Sequence, residues 1–257
     1  MPRFAANLTM MFNEHAFLDR FGAAAEAGFD AVEFLFPYEF PAEVIAEKLT
    51  GNGLRAVLFN MPPGDWARGE RGIAALAGRE DEFRAGVEKA LVYAKTLGVP
   101  RLHLMAGIAS RADGAALARY RDALAFAADA VGAEGLDLLI EPLNRRDMPG
   151  YLLDDFDFAA GLIEALGRPN LKLQFDIYHR QILHGDVLKG LEAMMPIIGH
   201  VQTASVPLRN EPGTGELDDF RIFAALDALG YGGHVGCEYR PAAGTLAGLD
   251  WRRRLPS

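Results

Sequence analysis

The chain has one cysteine, no surplus of positive charge and no long apolar run, and each shortage removes a class of protein. Cys237 alone can form neither an intrachain disulfide nor a cysteine-built zinc cluster. The 26 Lys and Arg against 35 Asp and Glu give a formal net charge of −9, which argues against general affinity for nucleic acid or an anionic membrane. A small anionic ligand stays admissible, because one arginine can dominate a site. No apolar stretch approaches the roughly 20 residues that span a bilayer. The opening MPRFAANLTMMF lacks the basic region, apolar stretch and small-residue cleavage site of a secretory leader. A cytoplasmic protein is the expectation, with a homo-oligomer left open. The sequence also has no linker, no low-complexity tract and no glycine-rich phosphate loop after RFAANL. That last absence weighs against an open, doubly wound nucleotide-binding sheet.

What is present is a repeated phrase: an amphipathic stretch, a glycine, then a short apolar run. It reads AEAGFDAVEFLF, LTGNGLRAVLFN, KTLGVPRLHLM, GAEGLDLLIEP, EALGRPNLKLQFD and DALGYGGHVGCEY. Gly28, Gly53, Gly98, Gly135, Gly167 and Gly230 fall where a helix should stop in a left-handed residue. The runs after them suit parallel strands buried on both faces. Helical spacing links Phe83, Val87, Leu91, Ala94 and Leu97, and again Leu117, Tyr120, Leu124, Ala128 and Val131. With RFAANL and IGHVQTA added, strands are expected at 3–8, 30–36, 54–60, 100–106, 136–141, 171–176, 198–203 and 234–239. Eight strands alternating with helices over 257 residues predict one α/β domain spanning 1–257, a (β/α)8 TIM barrel.

In such a barrel the site lies at the C-terminal ends of the strands. Glu141, Asp176 and Glu238 close the fifth, sixth and eighth expected strands, and Gln202 lies in the seventh. Any one strand-end carboxylate can be an N-cap or a solvated loop residue. Three converging on one mouth repel unless a cation neutralises them. The expected cation is Mg2+ or Mn2+, with the Gln202 amide oxygen and water or substrate completing its shell. His179, three residues past Asp176, belongs to the same rim or to loop packing; His103 reads as a core histidine or a site residue. Arg209, opening the loop RNEPGTGE, is placed to clamp a substrate carboxylate or to form a surface ion pair. In the long connection NMPPGDWARGERGIA, Trp66 either covers the mouth or packs on its rim. Arg71 or Arg68 brings charge to the substrate or pairs locally. Cys237, beside Glu238 in a strand, points to the opposite face and reads as packing.

Nearly the whole length resembles the hydroxypyruvate isomerase family, within the xylose isomerase-like barrels. The pieces that carry the likeness are RFAANLTMMF, VEFLFPYE, NMPPGDWARGERGIA, LIEPLN, FDIYH, RNEPGTGE and VGCEYRP. The loop with GDW and GERGIA is the most diagnostic, because barrel physics does not demand it. The resemblance implies metal-assisted isomerisation of a short hydroxy-keto acid: hydroxypyruvate to tartronate semialdehyde, or 2-oxo-tetronate to its 3-oxo isomer. It implies that Glu141 and Glu238 are the acid/base pair and also ligate metal, with Asp176 and Gln202 as further ligands. His179 and Arg209 match substrate-binding positions of related sugar epimerases, whose third strand-end ligand is usually histidine where Gln202 stands. The segment TASVPLR departs from some relatives, which carry an acidic residue and asparagine at Ser205 and Val206; that bears on distal substrate contacts. No nicotinamide or flavin is implied, since hydrogen moves within one molecule. Competing activities are a sugar epimerase or dehydratase on the same fold and a non-catalytic small-acid binding protein. A multi-zinc nuclease is disfavoured by six scattered histidines and the acidic balance. The isomerisation so implied belongs to glyoxylate metabolism or to sugar-acid breakdown.

Overall fold

The computed structural model describes residues 2–255. Its first half runs β1 (Arg3–Asn7), α1 (Arg20–Glu26), β2 (Ala31–Phe34), α2 (Ala42–Gly51), β3 (Arg55–Asn60), α3 (Glu80–Leu97), β4 (Arg101–His103) and α4 (Gly114–Ala133). The second half runs β5 (Asp137–Ile140), α5 (Phe156–Leu166), β6 (Leu171–Asp176), α6 (Ile177–Leu183), α7 (Val187–Met194), β7 (Ile198–Thr203), α8 (Asp219–Ala228) and β8 (His234–Cys237). The strands pair in parallel in chain order, and β8 returns to β1 to close the barrel. The expected eight-stranded barrel is therefore the observed one. No described helix is long and apolar enough to cross a membrane.

The six helix-ending glycines all hold φ between 60° and 80°, a region that costs other residues a Cβ clash. The fourth strand is shorter than the expected 100–106. Past Leu104 the backbone leaves the ladder, and Ala106 N–H donates to the Tyr151 hydroxyl at 2.8 Å. The eighth ends at Cys237, because Glu238 N–H turns back onto Gly236 O at 3.0 Å. Glu141 and Glu238 thus sit one residue beyond their strands. Two helices, α6 and α7, fill the connection from β6 to β7.

The buried stripe of α3 is Val87, Ala90, Ala94 and Leu97, and that of α4 includes Ala116, Tyr120, Leu124, Ala128 and Val131. Phe83, Leu91 and Leu117 flank these stripes at half burial, so each helix is turned slightly from the expected face. Alanines at the closest approach let the helix axes lie near the sheet, and the larger side chains fill the flanks. Inside the barrel, Ala5, Ala31, Val57, Leu58 and Leu139 form a small apolar layer. A separate set of interior residues is polar, and it supports the site.

Candidate active site

The chain folds so that β6 delivers its last residue to two tasks. Asp176 caps α6, its Oδ1 accepting from Tyr178 N–H at 2.7 Å. Its Oδ2 faces the barrel mouth, 3.4 Å from Arg209 Nη2 and 3.7 Å from His179 Nε2. The same Arg209 nitrogen lies 2.5 Å from Glu238 Oε2, so one guanidinium bridges two carboxylates. Arg209 also stacks over the Tyr178 ring, with Cζ 4.8 Å from its centroid, and its backbone is left-handed at φ 58°. The loop specified by RNEPGTGE therefore turns this side chain inward, into a buried pair instead of a surface one. Glu141, from the end of β5, completes the group; its Oε2 is 3.7 Å from His103 Nε2, and its Oε1 is buried without a hydrogen-bond partner.

Ligand-capable atoms of Glu141, Asp176 and His179 lie within 4.8 Å of one another. The tautomer of His179 decides its part. Its Nδ1 faces Asn144 N–H at 3.0 Å and the Asn144 Nδ2 amide at 2.8 Å. The Asn144 oxygen is committed to Arg146 and Asp147 N–H groups, so both groups facing Nδ1 are donors. Nδ1 must accept, and the ring proton sits on Nε2. His179 therefore presents an N–H to the site and has no lone pair there for a metal.

Burial raises all three carboxyls. Glu141 stands well above the ordinary range through burial and the charges of Glu238 and Asp176. Glu238 is pushed up to about 8, burial outweighing Arg209, and burial lifts Asp176 despite that same arginine. His179 is driven well below its usual value by burial and by Arg209, and His103 to about 3, so both are neutral. Mutually repelling carboxyls beside an unpartnered Glu141 oxygen are a donor set that a hard divalent cation fits.

Residues 21–255 match the family model described as xylose isomerase-like TIM barrel. The chain belongs to this family. It is 56% identical over 253 residues to a 2-oxo-tetronate isomerase of Cupriavidus necator, covering 98% of this chain and 97% of that protein. It is 44% identical over 256 residues to the hydroxypyruvate isomerase of Escherichia coli, covering 98% of each. A crystal structure from Brucella melitensis, described as an AP endonuclease, family 2, superposes with a TM-score of 0.96 at 50% identity, covering 100% of both chains.

In this xylose isomerase-like barrel the remaining expected residues lie apart from the carboxylate cluster or beneath it. Trp66 packs on Phe36, ring centroids 5.0 Å apart, and Arg71 stacks on Trp66 at 3.8 Å. Arg71 Nη1 donates to the Trp66 and Glu70 carbonyls at 3.1 and 2.7 Å, so the pair is built into the β3–α3 loop. Gln202 is engaged within the barrel: its Oε1 accepts from Gln174 Nε2 at 2.6 Å and its Nε2 donates to Glu33 Oε1 at 2.7 Å.

Glu33, Asn7, Gln174 and His200 are the residues the sequence reading passed over, and all are buried. Strand alternation carried a signal for two of them. Gln174 and His200 lie two residues before Asp176 and Gln202, on the same inward face, and the register pairs them across β6 and β7. Glu33 needs a glycine opposite: a Cβ on Gly236 would collide with both Glu33 carboxylate oxygens. Gly236→Ala should therefore cost about 1–3 kcal/mol, as overpacking of a filled interior does, measured by denaturant unfolding. Wild-type stability in that variant would mean the layer is loosely held.

Proposed function

We propose that the chain is a metal-assisted isomerase of short 2-oxo-3-hydroxy acids, moving a carbonyl by one carbon. The observation that carries the reading is the pair of buried carboxyls, Glu141 and Glu238, both held above the usual range beside one arginine. A carboxyl tuned toward neutrality can take a proton in one step and return it in the next. 2-Oxo-tetronate and hydroxypyruvate share the reacting unit, a carboxylate, a ketone and a hydroxyl-bearing carbon. They differ only in the group beyond it. The 56% identity to a 2-oxo-tetronate isomerase favours the four-carbon acid as first substrate; the 44% identity to a hydroxypyruvate isomerase supports the three-carbon acid as second. A nucleic-acid substrate is disfavoured by the net charge of −9.

Glu141, Asp176, Glu238 and the Gln202 amide oxygen would hold the cation. Mg2+ or Mn2+ held there would supply Lewis acidity toward the substrate's carbonyl oxygen. One glutamate removes the proton from the hydroxyl-bearing carbon, the hydroxyl proton of that carbon passes to the oxygen of the former carbonyl, and the other glutamate delivers a proton to the former carbonyl carbon. The His179 Nε2–H donates to a substrate oxygen. Arg209, already bridging Asp176 and Glu238, keeps both in their charged forms more readily and faces the substrate carboxylate. Trp66 and Arg71, stacked together in the β3–α3 loop, are the residues that would meet the anionic substrate from that side when it is bound.

Turnover of both acids, side by side with Mg2+, Mn2+ and EDTA, tests this reading. Metal-dependent conversion of at least one is expected; conversion of neither by folded, metal-loaded protein would reject it.

The carboxyl shifts predict how the metal-free protein responds to pH. Glu238, pushed up to about 8, lies above its unfolded value, so near neutral pH the folded state holds a proton the unfolded state has lost. That contribution is fully present below about pH 4.5 and is lost progressively as pH rises to about 8, so metal-free protein should lose stability between about pH 5 and pH 8, with the slope levelling off above. A bound cation displaces the proton, so Mg2+ should stabilise more at the upper end. Thermal unfolding in EDTA and in Mg2+ checks this. The slope in EDTA should flatten in Glu238→Gln; an unchanged slope would exclude Glu238 as the titrating group.

A further inference from the structure

The two ends of a glutamine amide have nearly the same shape, so only hydrogen-bond partners decide which end faces a site. At Gln202 that decision is made from below. We infer that Glu33, paired with His200, is a positioning residue that turns the Gln202 amide oxygen toward the cation site. The inference rests on the reading of Gln202 as a ligand and adds what fixes its polarity.

Glu33 is surrounded by donors whose orientation is set elsewhere. The Asn7 oxygen accepts from Thr9 and Met10 N–H at 3.1 and 3.3 Å, which leaves only the NH2 end of Asn7 to face Glu33 Oε1, at 2.9 Å. His200 Nε2 lies 2.7 Å from Glu33 Oε2, while His200 Nδ1 is buried with no partner. A protonated Nδ1 there would be an orphaned donor, so the proton sits on Nε2 and points at Glu33. With donors from His200 and Asn7 fixed, Glu33 is an ionised, acceptor-only group, and it takes the NH2 end of Gln202 at 2.7 Å.

The consequence appears on the other side of the amide. The Gln202 oxygen is directed to Gln174 Nε2 at 2.6 Å, and Gln174 lies on β6, the neighbour of β5, whose end carries Glu141. The oxygen end of Gln202 therefore faces the side of the barrel where Glu141 lies. A hard cation binds the oxygen and not the NH2, so a reversed amide removes one donor and aims a partial positive charge at the others. Glutamine held this way supplies a neutral oxygen without adding a fourth carboxylate to a crowded mouth. Asn7 carries the same tie to a second ligand, its Nδ2 standing 3.5 Å from Glu238 Oε1. Gly236 leaves the room Glu33 needs.

The test is Mn2+ affinity, read by electron paramagnetic resonance of free Mn2+, with thermal unfolding in EDTA on the same preparations. Glu33→Gln leaves one neutral oxygen where an ionised carboxylate served three donors, so the hold on the Gln202 amide loosens and affinity should weaken by about 10–100-fold, as loss of an outer-shell partner does. Glu33→Asp, which keeps the charge but withdraws it by a methylene, should weaken binding less and guards against a misfolded Gln variant. Adding Gln202→Glu to Glu33→Gln should recover about tenfold or more, since a carboxylate has no wrong end; a merely structural Glu33 would not be rescued by a change of polarity at 202. Wild-type affinity in both Glu33→Gln and Glu33→Asp would overturn the inference while leaving the metal reading intact. If wild type itself bound no Mn2+, the metal reading would fall. The Gln202 side-chain NH2 resonances of metal-free protein, identified by their loss in Gln202→Glu, would then decide. Slow exchange in wild type and a shift in Glu33→Gln support the positioning; unmoved resonances reject it.

Discussion

Replacing Glu141 or Glu238 by glutamine should lower kcat by about 10²–10⁴-fold, the usual worth of a general acid or base, with little loss of stability. Glutamine keeps the shape of each side chain and removes only the proton site. Burial and neighbouring charge raise both carboxyls, so a neutral amide suits these positions at least as well as the acid does. Stability in EDTA should hold or rise while turnover collapses. The two variants should differ in one respect: the glutamate that attacks the hydroxyl-bearing carbon is needed for exchange of its hydrogen with solvent, and its partner is needed only for product. One variant should therefore exchange substrate hydrogen without forming product, and the other should do neither. Steady-state rates and proton NMR of recovered substrate separate these cases. Undiminished turnover in either variant would remove that residue from the chemistry.

Arg209→Gln should have the next largest effect, and its signature is a moved pH profile. One Arg209 nitrogen bridges Glu238 at 2.5 Å and Asp176 at 3.4 Å, and its charge lowers the pKa of both against burial. Without it both carboxyls rise further, so the ionised forms appear only at higher pH and the ascending limb of kcat/KM shifts upward. At neutral pH the loss in kcat/KM should be about 10²-fold, about 3 kcal/mol of barrier. Arg209→Lys keeps the charge but loses the planar fork, and should shift the limb less than Arg209→Gln does. An unshifted profile with raised KM alone would make Arg209 a substrate clamp that does not tune the carboxyls.

The barrel was legible because its signals are local and repeated. Each helix-stopping glycine precedes a short apolar run, and the six glycines named from the sequence take left-handed conformations. Strand ends were less legible: whether Glu141 and Glu238 lie in the ladder or just beyond it depends on a turn such as Glu238 N–H onto Gly236 O, which no side chain announces. At the site, residues closing strands stood out because a polar group ended an apolar run. Glu33 and Asn7 did not, because each lies among apolar neighbours as a buried polar residue of any strand can. Their partners, His200, Gln202 and Glu238, are distant in sequence, and only closure of β8 on β1 brings them together. The tautomer of His179 is of the same kind, fixed by Asn144 N–H from another loop.

The most direct test of the account is proton NMR of the product formed in deuterated water with Mg2+ present. Proton transfer between Glu141 and Glu238 through an enediolate predicts deuterium on the former carbonyl carbon, C2 of the product, in every new molecule, and no conversion in EDTA. Product carrying the original hydrogen at C2, with none from solvent, would mean a direct hydride shift or return of the same proton by one shielded base, and either would contradict the roles assigned to the two glutamates.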